Sequence, residues 1–541
     1  MVLGVAPYGR RQHRPMRLTK RTPEYHPVWS PRKLTSGSIR DCSCGALPAL
    51  RMPAPTKPPR SMRPHPSYGR CHGPRRVARC SSGGQMMDNS HDEVADVVII
   101  GSGAAGMMAA VEAADAGSSV LVLESEEQTG GSTRLSGAYV ALCETPLEAG
   151  SREELYEDLI HSHHDDCQED LTRLYVDEAP GTFLRLEQLG IGFVRTFRFA
   201  HMSRPWAHEL SGEEMAGGAE IVTRLEAAAR ERGVRIQTGA RARRILMDGS
   251  RIGAVEYECA SGTRRIRAAN GVVIATGGFT RSPELIRNFG RPGAEGILPL
   301  TGQGSRGDGL LMGMGLGAGI SYMTLGVAPT APSHPETGKG AMVLYAGAIA
   351  LNRSGQRFCR ESDLYIDTCW ALLSQPGAVC AQVYDSRMKA DYSATMMGKV
   401  LTGFRELEAA TIEGLAQALA AEGFDAEGVR ASIERYNAQL AGAGDVDFDR
   451  THLVGDAGAL LPIAEPPFHA VICQAGTTHF NGGLTVDTSM NVRTVFGEQI
   501  QGLYAAGEVT GGFHGAGYMS GTFVGMALIF GRVAGRYASR G

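Results

Sequence analysis

Two hydrophobic periods run through this chain, and they meet most clearly between positions 94 and 124, VADVVIIGSGAAGMMAAVEAADAGSSVLVLE. Val97, Val98, Ile99 and Ile100 are apolar on both faces, which predicts a fully buried parallel strand. A small-residue helix follows, then a second buried strand over 120–123. From about 151 to 190 acids alternate with Leu155, Leu159, Leu171, Leu174 and Tyr175 at helical spacing, the pattern of a solvated helical surface. An amphipathic helix is expected over 221–232, and strands over 234–238, 252–259 and 263–268. The stretch 271–279, GVVIATGGF, repeats the opening logic of buried strand and glycine turn. Helices are expected over 406–422 and 426–440, the second with Val429, Ile433, Tyr436 and Leu440 on one face. A last helix begins at about 521.

Strands alternating with helices give an α/β fold, and the turns between them carry the chemistry. Gly101 permits the tight turn after the first strand, Gly103 lets backbone approach a pyrophosphate, and Gly106 lets the helix pack on the strand. With Ser102, Ala104 and Ala105 they form a helix N-terminus whose unpaired N–H groups face an anion. Glu124 closes the second strand, followed by Ser125; its carboxylate can accept from ribose hydroxyls and disfavours a 2′-phosphate. A second turn, Gly130, Gly131, Ser132 and Thr133, leads to Ser136 and Gly137 and can close over the other side of the pyrophosphate. Ala240 ends a strand; Ala275, Thr276 and Gly277 form a further turn; TGQGSRGDG, containing Asp308, leads into another helix. Repeated glycine turns at strand ends predict one extended dinucleotide laid across them.

Composition and charge then divide the chain. Residues 1–86 carry about 17 Lys and Arg against Glu24 and Asp41, and about half of the 26 prolines. The remainder bears about −18, which argues against nucleic acid as a partner. We expect 1–90 to be a disordered basic, proline-rich extension, with the natural start at Met86 or Met87. The cysteines form no CxxC or CxxCH, so neither an iron–sulfur cluster nor covalent haem is indicated, and a reduced, cytoplasmic protein is expected. Residues 309–333 carry no charge, but six glycines and two prolines argue against a membrane span. The run His161, His163, His164, Asp165, Asp166 has no metal-ligand spacing, and no metal is expected. The texture changes at about 331 and returns near 466. The expected division is therefore 91–330, a separate cap over 331–465, and 466–541 completing the first domain.

The ordered set GSGAAG, GGSTRLSG, ATGGF, GDG, RYNAQL with GDVDFDR, HFNGG and AAGEVTGGFHGAGYMSG resembles the flavoprotein family of succinate dehydrogenase and fumarate reductase. That family also holds soluble fumarate and urocanate reductases and 3-ketosteroid dehydrogenases. The resemblance spans essentially all of 94–541. It implies FAD, a Rossmann-like FAD-binding domain of the GR2 type, and an inserted α+β cap that closes over substrate. It further implies that Glu508 binds the ribityl chain, that Gly482 and Gly483 lie near the reactive flavin edge, and that Gly507, Gly521 and Thr522 complete the cofactor site. Members with covalent FAD use a histidine after the second glycine turn; STRLSGAYV has none, so non-covalent FAD is expected.

The departures from that family bear on substrate. Ala328 stands where the dicarboxylate reductases have a substrate histidine, Tyr365 where they have a cap arginine, and Tyr518 where they have a carboxylate-binding arginine; His479 remains. Tyrosine cannot supply the charged bidentate fork a dianion requires. Tyr518, Tyr365 and His479 instead suit a neutral carbonyl, one group donating to its oxygen and another moving the proton on the adjacent carbon, as in the 3-ketosteroid dehydrogenases. His514 is expected to be structural. The expected function is thus FAD-dependent oxidation or reduction of a C–C bond beside a carbonyl. Reduction of an unsaturated acid, with Arg357 or Arg360 as its anion ligand, is the alternative, and flavin binding without turnover is a third reading. The electron donor or acceptor stays open among a quinone, a second protein and a free reduced flavin.

Overall fold

The computed structural model describes residues 93–199, 202–211, 217–290, 292–323, 329–333, 341–363, 365–394, 398, 404–453 and 458–541. The basic extension expected over 1–90, Ala328 and the side chain of Tyr365 lie outside the described residues.

The first strand, Glu93–Ile100, is the centre of an eight-stranded sheet, and Val97, Val98 and Ile99 are fully buried on both of its faces. It runs parallel to Val120–Leu123 with Ile100 opposite Leu123, and on its other side parallel to Gly262–Ile274 with Ile100 opposite Ile274. Arg235–Gln237 extends one edge, and Gln499–Ala505 joins the other side of Gly262–Ile274. This places the ends of five parallel strands side by side, each followed by a turn. The strands expected at 263–268 and from 271 are one unbroken strand, because its first half is stapled antiparallel to Arg251–Cys259. Arg241–Asp248, which was not anticipated, adds a further antiparallel strand.

The first helix, Ala104–Asp115, and the last helix, Thr522–Ala538, both pack on the sheet and against each other. The two helices touch backbone to backbone: a Cβ on Gly531 or Gly535 would lie 2.4 or 2.3 Å from the carbonyls of Ala105 and Ala109. The acidic helical surface begins at Ser151, whose side chain and that of Glu154 form a capping box, and divides into Arg152–Ser162 and Glu169–Gln188. Residues 309–333 do not form one helix; the segment opens with the short helix Asp308–Gly315, and among the described residues no helix is long and apolar enough to cross a membrane.

A second hydrophobic core lies in the inserted segment, around a six-stranded sheet whose long central strand is Phe468–Thr477. This strand follows the expected boundary at 466, yet over Phe468–Gln474 it pairs with Val379–Asp385 of the inserted segment, and Gly476 and Thr477 pair with Leu298–Pro299. The helix expected from 406 is corrected. Glu406–Ala409 is a strand on Phe468–Thr477, Glu406 being held by Tyr384 and by Lys389 at 2.6 Å, and the helix starts at Ile412 behind the N-cap Thr411. Ala426–Ala441 buries Val429, Ile433 and Tyr436, as its period predicts.

Inside the cap, Arg357 makes paired bonds to Glu361 at 2.6 and 2.9 Å and to Asp445 at 2.8 Å on each nitrogen, between the rings of Tyr436 and Phe448. Arg450 is 1% exposed and donates to the carbonyls of Leu344 and Ala348, with Glu361 3.5 Å away. Removing one charge from such a group strands its partners in low dielectric. Glu361→Ala should lower unfolding stability by about 3–5 kcal/mol. Denaturant titration followed by cap-sensitive fluorescence checks this, and an unchanged midpoint contradicts it.

Candidate active site

The turns at the strand ends surround one elongated cavity of about 750 Å³. At its entry Gly101 has φ +106°, and a Cβ there would sit 2.3 Å from the carbonyl of Ala275. Gly103 differs: the nearest protein atom to its missing Cβ is Thr133 Oγ1 at 3.6 Å, so the space left by the side chain belongs to the cavity. The N-cap residue, Gly103, offers no side chain to the helix that starts at Ala104, and the Ala104 N–H donates to Thr133 Oγ1 at 3.1 Å. Helix N–H groups beside an open glycine form an anion cradle.

Side chains tie the turns to one another. Glu124, 5% exposed, accepts from the Ser102 N–H at 3.0 Å, the Glu126 N–H at 2.9 Å and the Ser102 hydroxyl. Ser102 Oγ accepts from the Gly130 N–H at 3.0 Å, and Ser132 Oγ from the Gly302 N–H at 3.1 Å. Asp308 holds Arg241 bidentately at 2.7 and 2.8 Å. Three turns far apart in sequence thus share one wall.

All the expected cofactor residues line this cavity except Gly106, Gly130, Gly482, Gly483 and Thr522. Gly106 is spent on helix–strand contact, its Cβ position lying 2.0 Å from the Gly101 carbonyl. Gly130 abuts Val222, and the Cβ position of Gly483 abuts the carbonyl of Val509. Thr522 is fully buried and partners His514 Nε2 at 2.9 Å.

Glu508 enters the cavity from the turn Gly507–Val509. Its carboxylate accepts from the Phe480 N–H at 3.0 Å, yet burial pushes its pKa up to about 7. The buried hydroxyls of Thr276 and Ser305 also line the cavity with no protein partner. A chain of ligand hydroxyls and phosphates would satisfy these groups, and the cradle fits a dinucleotide in length and in donor set.

At the other end stand His479 and Tyr518, ring centroids 5.0 Å apart, against Phe523, which is 3.9 Å from His479. His479 Nδ1 is bonded to Thr478 Oγ1 at 2.9 Å, while Nε2 is buried and has no partner. Burial pulls its pKa down to about 3, so the imidazole is neutral. The loop carrying Tyr518 is pinned from below: Asn481 Nδ2 donates to the carbonyls of Gly515 and Gly517 at 3.0 and 3.2 Å, and the Ala516 N–H donates to Asp166 O at 3.1 Å. His514 stacks on Phe523 at 3.8 Å, and His163 packs edge-on to Phe513 at 5.2 Å. Both are buried spacers beneath the loop.

The cap contributes Met342 and Tyr345, and the first domain adds Tyr139, Arg198 and Phe199. Sequence reasoning missed these five, since they sit in irregular segments without a period. Arg357 and Arg360, the candidate anion ligands, do not line the cavity; Arg357 is consumed within the cap and Arg360 binds Asp363 at 2.6 Å. Tyr365 opens the helix Tyr365–Leu373.

With this geometry established, the chain is seen to belong to the FAD binding domain family, whose model matches residues 96–524. It is 29% identical over 451 residues to an NADH:fumarate oxidoreductase of Klebsiella pneumoniae (strain 342), a match covering 82% of this chain and 48% of that protein. The chain therefore spans about half the length of that relative. In fold it is similar to the open conformation of a flavocytochrome c3 fumarate reductase, with a TM-score of 0.73 and 24% identity over 83% of this chain and 79% of the other. It is also similar to the 3-ketosteroid-Δ4-(5α)-dehydrogenase of Rhodococcus jostii RHA1, with a TM-score of 0.68 and 24% identity over 84% of this chain and 99% of the other. The cofactor is FAD.

The raised pKa of Glu508 gives FAD binding a pH dependence. Between about 4.5 and 7 the folded apoprotein holds a proton there, and hydroxyl donors from a ligand favour the charged carboxylate, so binding draws that proton off. FAD should bind apoprotein about tenfold more weakly at pH 6 than at pH 8. Fluorescence titration checks this, and Glu508→Gln should flatten the profile.

Proposed function

We propose that the protein is an FAD-dependent oxidoreductase acting on a C–C bond adjacent to a carbonyl, in the manner of the 3-ketosteroid dehydrogenases. The observation that carries this reading is the pairing of a neutral, buried His479 with Tyr518 at one end of the cavity. The chemistry that FAD supplies when bound is two-electron hydride exchange with the carbon β to the carbonyl. The chain's own residues manage the oxygen and the proton. A phenol at Tyr518 donates to the carbonyl oxygen and stabilises the enolate as charge develops there. His479, uncharged, offers Nε2 for a hydrogen bond to the same group or to a proton in transit. Tyr365 is assigned the proton on the α carbon, and microscopic reversibility lets the same groups serve either direction. Phe523 and the cap residues Met342 and Tyr345 keep the site apolar, which strengthens each of these bonds.

Reduction of an unsaturated acid is the second reading, favoured by the similarity to an NADH:fumarate oxidoreductase. Against it, a dicarboxylate needs two free guanidinium groups. Among the described residues lining the cavity the only arginines are Arg198 and Arg241, and Arg241 is spent on Asp308.

Reduced enzyme should be reoxidised anaerobically by an enone ketone and not by fumarate or urocanate; rapid reoxidation by fumarate alone refutes the carbonyl reading. Tyr518→Phe should lower turnover by about 100-fold or more with flavin still bound. Flavin attachment is assigned as non-covalent: acid precipitation should leave the yellow colour in the supernatant, and a yellow pellet would contradict this.

A further inference from the structure

Arg198 is the cavity cation that the proposed reaction does not use. It follows the strand Phe193–Phe197, and its Nε donates to the carbonyl of Met202 at 2.7 Å, which fixes the guanidinium plane and leaves both terminal nitrogens. Neighbouring arginines are neutralised: Arg195 lies on Glu209, and Arg204 on Glu148 and Glu154. Among the described residues no carboxylate pairs with Arg198, although it lines the cavity beside Phe199.

The contacts of its neighbour Phe199 lead toward the reaction end. The Phe199 ring stands edge-on to Tyr139 at 5.3 Å, and the Tyr139 carbonyl is 3.4 Å from the Cβ position of Gly521, three residues beyond Tyr518. The walls between are apolar or aromatic: Tyr139, Phe199, Leu300, Met342, Tyr345 and Phe523. One unpaired guanidinium at the edge of such a chamber matches a ligand with an apolar body and a single anionic end.

We propose that the substrate is a keto acid, a ketone or enone whose apolar frame carries one carboxylate remote from the carbonyl, and that Arg198 binds this carboxylate through its two terminal nitrogens. This rests on the carbonyl reading and narrows it. Arg198 then sets which end of the substrate enters first, so that the carbonyl reaches Tyr518 and His479 while the carboxylate stays at the mouth. The single fork also explains how the site admits an acid without the arginine pair a dicarboxylate needs.

The test compares 4-(3-oxobut-1-enyl)benzoate with its methyl ester, which keeps the shape and removes the charge, on the holoenzyme. The wild type should show a KM for the acid about 10- to 100-fold below that for the ester, the range of charged hydrogen bonds. Arg198→Met should bring that ratio to about one, Arg198→Lys should recover part of it, and added salt should weaken the acid alone. A ratio of one in the wild type, a ratio retained in Arg198→Met, or loss of FAD from that variant would each overturn the assignment. A second readout separates it from the carbonyl reading: the saturated analogue, 4-(3-oxobutyl)benzoate, is titrated against the oxidised flavin spectrum. A shift produced by the acid and lost in Arg198→Met upholds the carboxylate site even where neither enone reoxidises the flavin, an outcome that refutes only the carbonyl chemistry. No spectral shift with the acid in the wild type overturns the site.

Discussion

The carbonyl of Gly101 occupies the place where a Cβ on Gly106 would have to be, 2.0 Å away, and the carbonyl of Ala275 lies 2.3 Å from the Cβ position of Gly101. Those two contacts draw the first helix and the strand Gly262–Ile274 onto the same turn. Any side chain there would separate the helix from the sheet, and the N–H groups at Ala104 and Ala105 would no longer face the cavity. The remaining cofactor wall is built outward from this point. Ser102 reaches back to Glu124 and across to Gly130, and Ser132 reaches Gly302, so an error at the first turn would propagate through each of the others.

The far end of the cavity obeys a different rule, since it is shaped by desolvation more than by close backbone contact. His479 and Glu508 are both buried, and burial shifts each toward its neutral form, one down to about 3 and the other up to about 7. The protein bears this cost because a ligand repays it. Glu508 regains its charge when hydroxyl donors arrive, whereas His479 stays uncharged and keeps a free ring nitrogen in the chamber. Glu508 thus stands ready for hydroxyl donors, whereas His479 keeps its unpartnered nitrogen among aromatic rings.

What the residues alone revealed follows this division. Glycine turns are legible because backbone geometry demands glycine at fixed offsets from a buried strand, so Gly101, Gly103 and the βαβ unit could be read directly. Glu508 was reached by resemblance and now lies in the cavity wall. Gly483 marks the limit of such reading: a glycine required for strand packing looks the same in sequence as one required for ligand approach, and the 2.2 Å between its Cβ position and the Val509 carbonyl shows that packing alone already demands glycine there. The surroundings of the expected boundary at 466 are hard to read for a related reason. Phe468–Thr477 has the apolar texture of the first domain, and its partner Val379–Asp385, far away in sequence, decides its sheet. Tyr139, Phe199 and Tyr345 had no period to announce them; they reach the chamber through irregular backbone whose course depends on tertiary contacts.

Charge placement joins these strands of argument. The inserted domain holds two buried arginines, and both are committed: Arg357 to Glu361 and Asp445, Arg450 to backbone carbonyls beside the same glutamate. Such a network is costly to bury and contributes little net stability, but it fixes the segment 357–361, from which the chain runs to the helix opened by Tyr365. The cap therefore uses its guanidinium groups as internal braces and presents Met342 and Tyr345 to the chamber. Among the described residues the cap thus lends the cavity no guanidinium group. The charge that the cap withholds is found on the other side of the cavity, where Arg198 stands beside Phe199 and Tyr139.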